Sequence, residues 1–464
     1  MTSVQLSLRQ LRRSLLNISQ CQRRSIPSTF LASKRHLPVT AYKQKSSLVK
    51  EAEETNGNNF LFKGMETEFP CVSRTNISGP EPQYDLVQSG YEVFTYDQPF
   101  YMKYGGRILP QLDIAYETWG ELNEDRDNTV MIFTGLSASS HARSHKKNPE
   151  PGWWEKFIGP GHPIDTDKYF VICTNNIGGC YGSSGPSSLN PSTGKPFGTT
   201  FPLISVEDMV HSSFLLLDYL GIKKVHGCLG SSLGGMISLM SAALYPDRVG
   251  RMISISSCSQ SHPSSIAMRY IQRKIIMMDP NWNNGHYYDH QYPAVGMKLA
   301  REIATMTYRS GPEWNKRFGR QKIDPTEEPT LCPTFNIESY LEYQGESFSR
   351  KYDPNSLLYI SKAMDLFDIQ DGFDTLTEGL ARVACPCMVI GVKTDILFPV
   401  WQQRNLAESL QEAGNEAVTY YELSSIFGHD TFLLDLNGVG SAMKGFLETN
   451  MKEYGRAMKR KGKA

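Results

Sequence analysis

The sequence lacks the features that would assign it to several large classes of protein. Its nine cysteines include no C-x-x-C pair, and the CPC of residues 385–387 is too tight for an ordinary disulfide. We therefore expect reduced cysteines, several of them in the core. No apolar run approaches the roughly 18 residues of a membrane span. No phosphate loop, internal repeat or metal-binding cluster stands out, so we expect neither a metal nor a permanently bound cofactor.

Acidic residues are absent from residues 1–45, which carry nine Lys or Arg. Serines and regularly spaced leucines accompany these charges, a pattern typical of a mitochondrial transit peptide. The chain has 48 basic and 48 acidic residues, so removing these nine leaves 39 against 48, a net charge of −9 that argues against nucleic-acid binding. We expect a mitochondrial matrix protein; the alternative is a cytoplasmic protein with a disordered basic tail.

The motif GSSLG at residues 230–234 carries the most information. Residues 225–229 predict a short buried strand before it, and residues 235–246 predict a small-residue helix that stops at a proline. Strand, G-x-S-x-G and helix together describe a nucleophile elbow, a strained turn that exposes a serine hydroxyl. Glycines at 230 and 234 would leave room for strand and helix to approach. Ser232 is the predicted nucleophile, although G-x-S-x-G alone is often only a loop.

A serine hydroxyl needs a base and an orienting carboxylate, and after an elbow the carboxylate comes first and the histidine second. Residues 388–392 predict a strand that leads to Asp395, and residues 418–423 predict another that leads to His429. Both would lie beyond strand ends, where α/β proteins place their chemistry. The alternatives are a turn aspartate and a helix-capping or surface histidine. For the oxyanion we expect the backbone N–H of Leu233 and that of Phe133 or a neighbour, at the end of a strand predicted near residues 129–135.

Seven longer motifs occur in order between residues 91 and 446. They are GWW at 152–154, IGPG at 158–161, DTDKYFV at 165–171, GSSGPSS at 182–188, DPNW at 279–282, ESYL at 338–341 and GHDTFL at 428–433. Together they resemble the homoserine O-acetyltransferase family of the α/β-hydrolase superfamily. The resemblance implies an α/β-hydrolase fold, a mostly parallel, doubly wound sheet with an inserted helical lid. It also implies ping-pong transfer of an acyl group from acyl-coenzyme A, through Ser232, to an amino-acid hydroxyl.

The resemblance also implies residues that bind the amino acid. Arg301 matches the family arginine that holds the substrate carboxylate, for which a guanidinium fork is suited. Asp430, directly after the predicted catalytic histidine, matches the aspartate that pairs with the substrate ammonium. Without the resemblance, these would be a solvated helix arginine and a first-turn helix aspartate.

Specificity is expected from two further places. The loop Gly135, Leu136, Ser137 and Ala138 departs from the homoserine pattern Leu-Thr-Gly-Asp and resembles the serine O-acyltransferase branch found in fungi. An apolar residue there could shorten the pocket by about one methylene, worth ~1–3 kcal/mol, which favours L-serine over L-homoserine. Arg269 lies one helical turn before a second arginine and would favour succinyl over acetyl; the alternative is a solvated arginine pair.

The predicted organisation places a leader at 1–45, an irregular approach at 46–88, the catalytic core at 89–260 and 377–450, a helical lid at 261–376 and a basic tail at 451–464. Amphipathic stretches near 264–278, 295–310, 337–351 and 355–366 predict the lid helices. We expect small-molecule substrates, no nucleic acid, no membrane, and a homodimer through the lid as an option. Two other functions compete with serine acylation for cysteine synthesis: homoserine O-acetylation for methionine synthesis, and an esterase or thioesterase in which water accepts the acyl group. The presence of both Arg301 and Asp430 favours acyl transfer to an amino acid over hydrolysis by water.

Overall fold

The computed structural model describes residues 69–73 and 79–450. The predicted leader, the predicted basic tail and most of the 46–88 approach lie outside these residues. Two short helices, Pro70–Ser73 and Tyr84–Val87, precede the first strand. No helix in the described part of the chain is long and apolar enough to cross a membrane.

Eight strands form one sheet. In chain order they are β1 (Glu92–Tyr96), β2 (Leu112–Trp119), β3 (Thr129–Phe133), β4 (Phe170–Thr174), β5 (Gly227–Ser231), β6 (Met252–Ile255), β7 (Cys387–Val392) and β8 (Val418–Leu423). Their spatial order is β1-β2-β4-β3-β5-β6-β7-β8, with β2 antiparallel to both its neighbours and the other pairs parallel. The central strands consist of buried residues throughout, as expected for a parallel sheet covered on both faces. Three two-stranded ribbons pair Phe100–Tyr101 with Ile108–Leu109, Ile158–Gly159 with Ile164–Asp165, and Leu189–Asn190 with Lys195–Pro196.

Helices cover the two faces of the sheet. The longer ones are α1 (Val206–Tyr219), α2 (Leu233–Leu244), α3 (Pro263–Met278), α4 (Ala294–Tyr308), α5 (Gly311–Arg317), α6 (Asn336–Ser349), α7 (Pro354–Asp365), α8 (Val400–Glu412) and α9 (Ser441–Glu448). Short helical turns occupy Gly198–Thr200, Pro280–Gly285, Leu376–Leu380, Gly428–Asp430, Thr431–Leu434 and Leu436–Gly440. Apolar residues of α1, α2 and α8 join one buried cluster, and those of α9 join a second cluster with the opposite faces of the strands. The predicted α/β-hydrolase architecture is therefore present.

Helices α3 to α7 form an insertion between β6 and β7, and four of them coincide within a few residues with the predicted amphipathic stretches. Helix α4 packs against both α3 and α6. Proline begins α3 and α7, which suits a first-turn position because no intrahelical donor is lost there. The insertion leaves the sheet at the carboxyl end of β6, the same edge at which β5 delivers Ser232.

One local prediction differs from the structure, and one contact was not predicted. The strand predicted at residues 225–229 is found at Gly227–Ser231, because its last positions are Gly and Ser and lack an apolar signal, whereas Val225 forms only an isolated bridge with Val249. The described cysteines form no disulfide, as expected. However, the sulfur atoms of Cys71 and Cys332 lie 2.7 Å apart. This contact could not be predicted from the sequence, because the two residues are 261 positions apart.

Candidate active site

Ser232 occupies a strained turn between β5 and α2. Its backbone angles are φ 56° and ψ −121°, which side-chain-bearing residues rarely adopt. A Cβ at Gly230 would lie 2.5 Å from the Gly234 backbone, and a Cβ at Gly234 would lie 2.2 Å from the carbonyl oxygen of Phe133. The two glycines thus allow the start of α2 to pack against its own strand and against the end of β3. This is the local geometry of a nucleophile elbow.

His429 and Asp395 form a buried hydrogen-bonded pair. The His429 Nδ1 and Asp395 Oδ2 atoms lie 2.7 Å apart, and the other carboxylate oxygen accepts the backbone N–H groups of Leu397 and Phe398 at 2.9 and 2.8 Å. Burial lowers the pKa of His429, but the charge and hydrogen bond of Asp395 outweigh it and raise that pKa above its ordinary value. His429 is therefore neither a surface histidine nor a helix cap, and Asp395 is more than a turn aspartate.

A cavity of about 290 Å³ lies at the carboxyl edge of the sheet, beneath the inserted helices. Nine of the twelve side chains or loop positions singled out from the sequence line it: Gly135, Leu136, Ser137, Ala138, Ser232, Arg269, Arg301, His429 and Asp430. Asp395 lies behind His429, outside the lining. The fold therefore gathers residues separated by almost 300 positions into one site.

The two predicted oxyanion donors lie side by side. Leu233 is the first residue of α2 and Phe133 the last of β3, and Gly234 brings these elements into contact. Both side chains are buried. That their backbone N–H groups stabilise the oxyanion stays a prediction.

Arg301 projects from α4 into the cavity between two aromatic rings. Its guanidinium carbon lies 4.4 Å from the centre of the Phe348 ring and 5.1 Å from that of Tyr308. Its Nε is buried without a hydrogen-bond partner, and within residues 79–450 no carboxylate forms an ion pair with it. A half-buried, stacked guanidinium with unused donors is a ready site for a carboxylate, and it differs from the solvated arginine of the alternative interpretation.

Asp430 is already paired within the protein. Arg309 Nη2 lies 3.3 Å from Asp430 Oδ2, and Arg309 Nη1 donates to Glu313 at 2.6 Å. We call these three residues the Asp430 cluster; it contains two carboxylates and one guanidinium, and the exposed Arg317 lies at its edge, 4.0 Å from Glu313. Burial raises the pKa of Asp430, while Arg309, His429 and Arg301 oppose the rise. Sequence reasoning missed Arg309, although it lies in the same Thr-Tyr-Arg motif that points to Arg301, because its partners come from other elements.

Arg269 and Arg273 are buried rather than solvated, so the solvated-pair alternative is wrong. Arg269 Nε lies 2.6 Å from Asp365 Oδ1, and Arg273 donates to the other oxygen of the same carboxylate. We call these three residues the arginine cluster; two guanidiniums share one carboxylate, which leaves one positive charge in excess. Arg269 Nη1 is buried without a hydrogen-bond partner, and Arg269 lines the cavity.

The loop of residues 135–138 is held from the lid side. The Tyr352 hydroxyl donates to the backbone carbonyl of Leu136 at 3.0 Å, and Tyr352 itself is buried. Asn176 Nδ2 donates to the Thr134 hydroxyl at 3.0 Å, just before the loop. The position of Leu136 beside Ser232 in the cavity is therefore fixed by contacts on both sides.

A third polar cluster was not predicted from the sequence. Glu117 Oε2 lies 2.8 Å from His141 Nδ1 and 2.6 Å from His145 Nε2, and we call these three residues the His141 cluster. One nitrogen from each ring and one oxygen of the carboxylate lie within 4.8 Å of one another. The sequence offered no signal, because Glu117 lies on β2 and the histidines on the loop after β3.

Comparisons with known proteins agree with this geometry. A family model described as alpha/beta hydrolase fold matches residues 128–421. A serine O-succinyltransferase from Emericella nidulans is 49% identical over 454 residues, with 82% of this chain and 87% of that protein covered. The chain belongs to this O-acyltransferase family. Among solved structures, a homoserine O-acetyltransferase from Bacillus anthracis has a TM-score of 0.73 at 30% identity, covering 78% of this chain and 98% of its own. Esterase E22 has a TM-score of 0.71 at 29% identity, covering 77% and 100%. The resemblance inferred from the motifs is thus confirmed.

Proposed function

We propose that this protein transfers an acyl group, with succinyl preferred to acetyl, from acyl-coenzyme A to the hydroxyl of L-serine. The observation that carries the proposal is the cavity that contains Ser232 and His429 together with Arg301 and Asp430. A hydrolase needs only the first two, whereas an amino-acid acceptor needs a cation for its carboxylate and an anion for its ammonium. The serine O-succinyltransferases whose sequences match 80–82% of this chain support the same acceptor.

In the first half-reaction, Ser232 Oγ attacks the thioester carbonyl while His429 takes its proton. The N–H groups of Leu233 and Phe133 would stabilise the oxyanion. The tetrahedral intermediate then collapses to an ester on Ser232, and the coenzyme A thiolate leaves with the proton from His429. Asp395 holds the imidazole in the correct tautomer and stabilises its charged form.

In the second half-reaction, the serine hydroxyl gives its proton to His429 and attacks the ester carbonyl. Arg301 would bind the carboxylate of the amino acid, and Asp430 its ammonium, which would replace part of the pairing with Arg309. Collapse returns the proton to Ser232 Oγ and releases O-acylserine. Such a product carries an activated β-oxygen, which suits later replacement by sulfide in cysteine synthesis.

The arginine cluster supports succinyl as the acyl group, because its excess positive charge faces the cavity through Arg269. Arg269→Gln and Arg273→Gln remove the same charge from the cluster, but only Arg269 lines the cavity. We expect Arg269→Gln to reduce kcat/KM for succinyl-coenzyme A far more than for acetyl-coenzyme A. Arg273→Gln should change the ratio of kcat/KM between the two donors much less. An unchanged donor ratio in Arg269→Gln would contradict the assignment.

Two other activities have support of their own. The homoserine O-acetyltransferase structure favours homoserine with acetyl-coenzyme A, and the esterase structure favours hydrolysis. One assay separates them: the purified chain is given L-serine, L-homoserine or no acceptor, each with succinyl- or acetyl-coenzyme A. Fastest O-succinylserine formation supports the proposal. A preference for homoserine with acetyl-coenzyme A, or thiol release that no acceptor accelerates, would overturn it.

We also propose import into the mitochondrial matrix, supported by the nine basic and no acidic residues of positions 1–45. Fusion of these residues to a fluorescent protein tests this against the cytoplasmic alternative. A homodimer through the lid is supported by apolar side chains exposed on its helices: Tyr270, Ile271, Met278, Met306 and Tyr343. Light scattering of the wild type and of a Met278→Glu/Met306→Glu variant tests it, since only the variant should be monomeric.

A further inference from the structure

The hydrogen bonds of the His141 cluster determine its protonation. His141 Nδ1 faces the Glu117 carboxylate at 2.8 Å, and Nε2 faces the backbone carbonyl of Glu150 at 2.7 Å. A carbonyl oxygen can only accept, so Nε2 carries a proton. Glu117 also receives the Ser140 hydroxyl at 2.7 Å and His145 Nε2 at 2.6 Å. Because the Ser140 hydroxyl and His145 Nε2 already donate to this carboxylate, its oxygens act as acceptors, and in the 2.8 Å contact with His141 the donor is Nδ1.

His145 differs from His141 in this respect. Its Nδ1 accepts the backbone N–H of Lys147 at 3.2 Å, so its proton is on Nε2 and the ring is neutral. The cluster is thus one ion pair between Glu117 and a charged His141, completed by a neutral histidine. Burial lowers the pKa of His141, but the hydrogen bonds to Glu117 and Glu150, with the charges of Glu117 and Glu155, raise it overall.

The cluster lies at the end of the loop that lines the active site. Residues 135–138 face the cavity, and three positions later the chain enters the cluster. Between them, Trp153 Nε1 donates to the Ser139 carbonyl at 2.9 Å, and Ser140 is bonded to Glu117 and to Asn175. The far end of the loop therefore has a charged anchor, whereas its near end continues directly from β3.

We propose that His141, held as an imidazolium by Glu117, is a positioning residue that fixes residues 135–138 for the amino-acid acceptor. This proposal rests on the two-step transfer proposed above. Loss of the proton would leave a carbonyl or carboxylate without its donor and loosen the loop. The charge is present below the raised pKa of His141 and is lost as pH rises through it. Acceptor use should therefore weaken on the alkaline side, while donor-only acylation of Ser232 should not.

The test combines spectroscopy and kinetics on the full chain. In protein labelled with ¹⁵N-histidine, the signal that disappears in His141→Gln should keep two protonated ring nitrogens to a higher pH in the wild type than in Glu117→Gln. Glu117→Gln should move the alkaline fall of acceptor kcat/KM to lower pH and raise acceptor KM roughly ten- to a hundredfold, the scale of a misplaced binding group. His211→Gln, which alters a histidine bonded to Tyr245 away from the cavity, is the control and should change neither.

Three results would overturn the proposal. Loss of the second ring proton of His141 at the same pH in the wild type and in Glu117→Gln would show that Glu117 does not hold the charge, whatever the activity of the enzyme. Equal loss of acylation and acceptor transfer in Glu117→Gln would show a general structural role. Zinc bound at one per chain in the purified protein, and absent from Glu117→Gln, would make the cluster a metal site instead.

A second inference comes from the cysteine pair. Cys71 lies on the short helix Pro70–Ser73, and Cys332 lies four residues before α6, the helix that places Phe348 against Arg301. Their sulfur atoms are 2.7 Å apart, only about 0.7 Å more than a disulfide bond. Neither residue is fully buried, so an oxidant can reach the pair.

We propose that Cys71 and Cys332 form a reversible disulfide that ties the segment before the core to the lid. One thiolate attacks glutathione disulfide and releases one glutathione; the second thiolate then attacks the mixed disulfide and releases another. Two electrons pass from the cysteines to glutathione disulfide, and the two thiol protons end on the two glutathione thiols that are released. The buried pair Cys385 and Cys387 should remain reduced, because burial keeps them from the oxidant.

Mass spectrometry after digestion of the full chain tests this. Incubation with glutathione disulfide should yield one cross-linked peptide pair containing Cys71 and Cys332, which dithiothreitol removes. Cys332→Ser should leave Cys71 carrying a single glutathione instead. Absence of the cross-link at a large excess of glutathione disulfide, or glutathione on both cysteines of the wild type, would refute the proposal.

Discussion

Replacing Arg301 should separate the two half-reactions. Its guanidinium is stacked at 4.4 Å on Phe348, its Nε has no partner, and no carboxylate of the described residues pairs with it. A hydrogen bond to a charged group contributes ~1.5–3 kcal/mol, and ~1.4 kcal/mol corresponds to a factor of ten. Arg301→Lys keeps the charge but loses the fork, so we expect the KM for the amino acid to rise about tenfold. Arg301→Met keeps the packing on Phe348 but loses the charge, and the rise should approach a hundredfold.

Two measurements check this expectation. Acylation of Ser232 by succinyl-coenzyme A alone, followed by mass spectrometry of the intact chain, should proceed nearly as in the wild type. Steady-state kinetics with varied L-serine should show the loss. Arg320→Met is the matched control, because Arg320 stacks at 5.4 Å on Phe335 in the same lid but does not line the cavity. Equal loss of both half-reactions would refute the reasoning and make Arg301 a structural or coenzyme-binding residue.

Three further outcomes are expected. Ser232→Ala should abolish the acyl-enzyme seen by mass spectrometry and lower transfer by several orders of magnitude, since the nucleophile and its base act as a unit. Burial lowers the pKa of His429, but Asp395 raises it more strongly. Because the base works only when deprotonated, kcat/KM for the donor should fall as pH drops through an inflection above about 6.5. Asp395→Asn should move that inflection to lower pH. Leu136→Asp should shift the serine-to-homoserine ratio of kcat/KM by roughly ten- to a hundredfold towards homoserine, the scale of one methylene.

The parts of this fold that sequence predicted are those encoded locally. The turn at Ser232 needs a strand, two glycines and a small-residue helix within some twenty positions, and all of these can be seen in the sequence. Asp395 and His429 could be found because each follows an apolar strand in the chain order that an elbow requires. The predicted bounds of β5 lie two residues too early in the chain, because strand positions filled by Gly and Ser carry no hydrophobic pattern.

The parts that sequence could not predict depend on partners distant in the chain. Whether Arg269 is solvated or buried is decided by Asp365, almost a hundred residues later. Arg309 becomes part of the site only because the lid brings it to Asp430. The His141 cluster needs the pairing of β2 with β4 and β4 with β3 before Glu117 can meet a loop histidine. The periodicity of a helix or strand contains no information on which distant residues come into contact.

The charges around the cavity can be compared with those of the proposed substrates. The arginine cluster has an excess of one positive charge, and Arg301 contributes another. The Asp430 cluster has an excess of one negative charge towards the cavity, because the second arginine near Glu313, Arg317, lies 4.0 Å away on a side chain that is 41% exposed to solvent. A succinyl group has one carboxylate, and an amino acid has one carboxylate and one ammonium. The three protein charges therefore match three substrate charges of opposite sign. An acetyl group would leave the arginine cluster uncompensated in a buried site, which is unfavourable.

The same comparison predicts that donor and acceptor specificity are independent. Serine and homoserine carry identical charges, so the charged clusters cannot separate them, and the choice falls to the length of the pocket at residues 135–138. Leu136→Asp should then change acceptor preference, Arg269→Gln should change donor preference, and the double variant should show the product of the two effects within about a factor of two. All four substrate combinations are measured as kcat/KM in each variant. A larger departure from the product would mean that the acyl and amino-acid ends of the cavity are coupled, and that the charge matching does not describe two separate subsites.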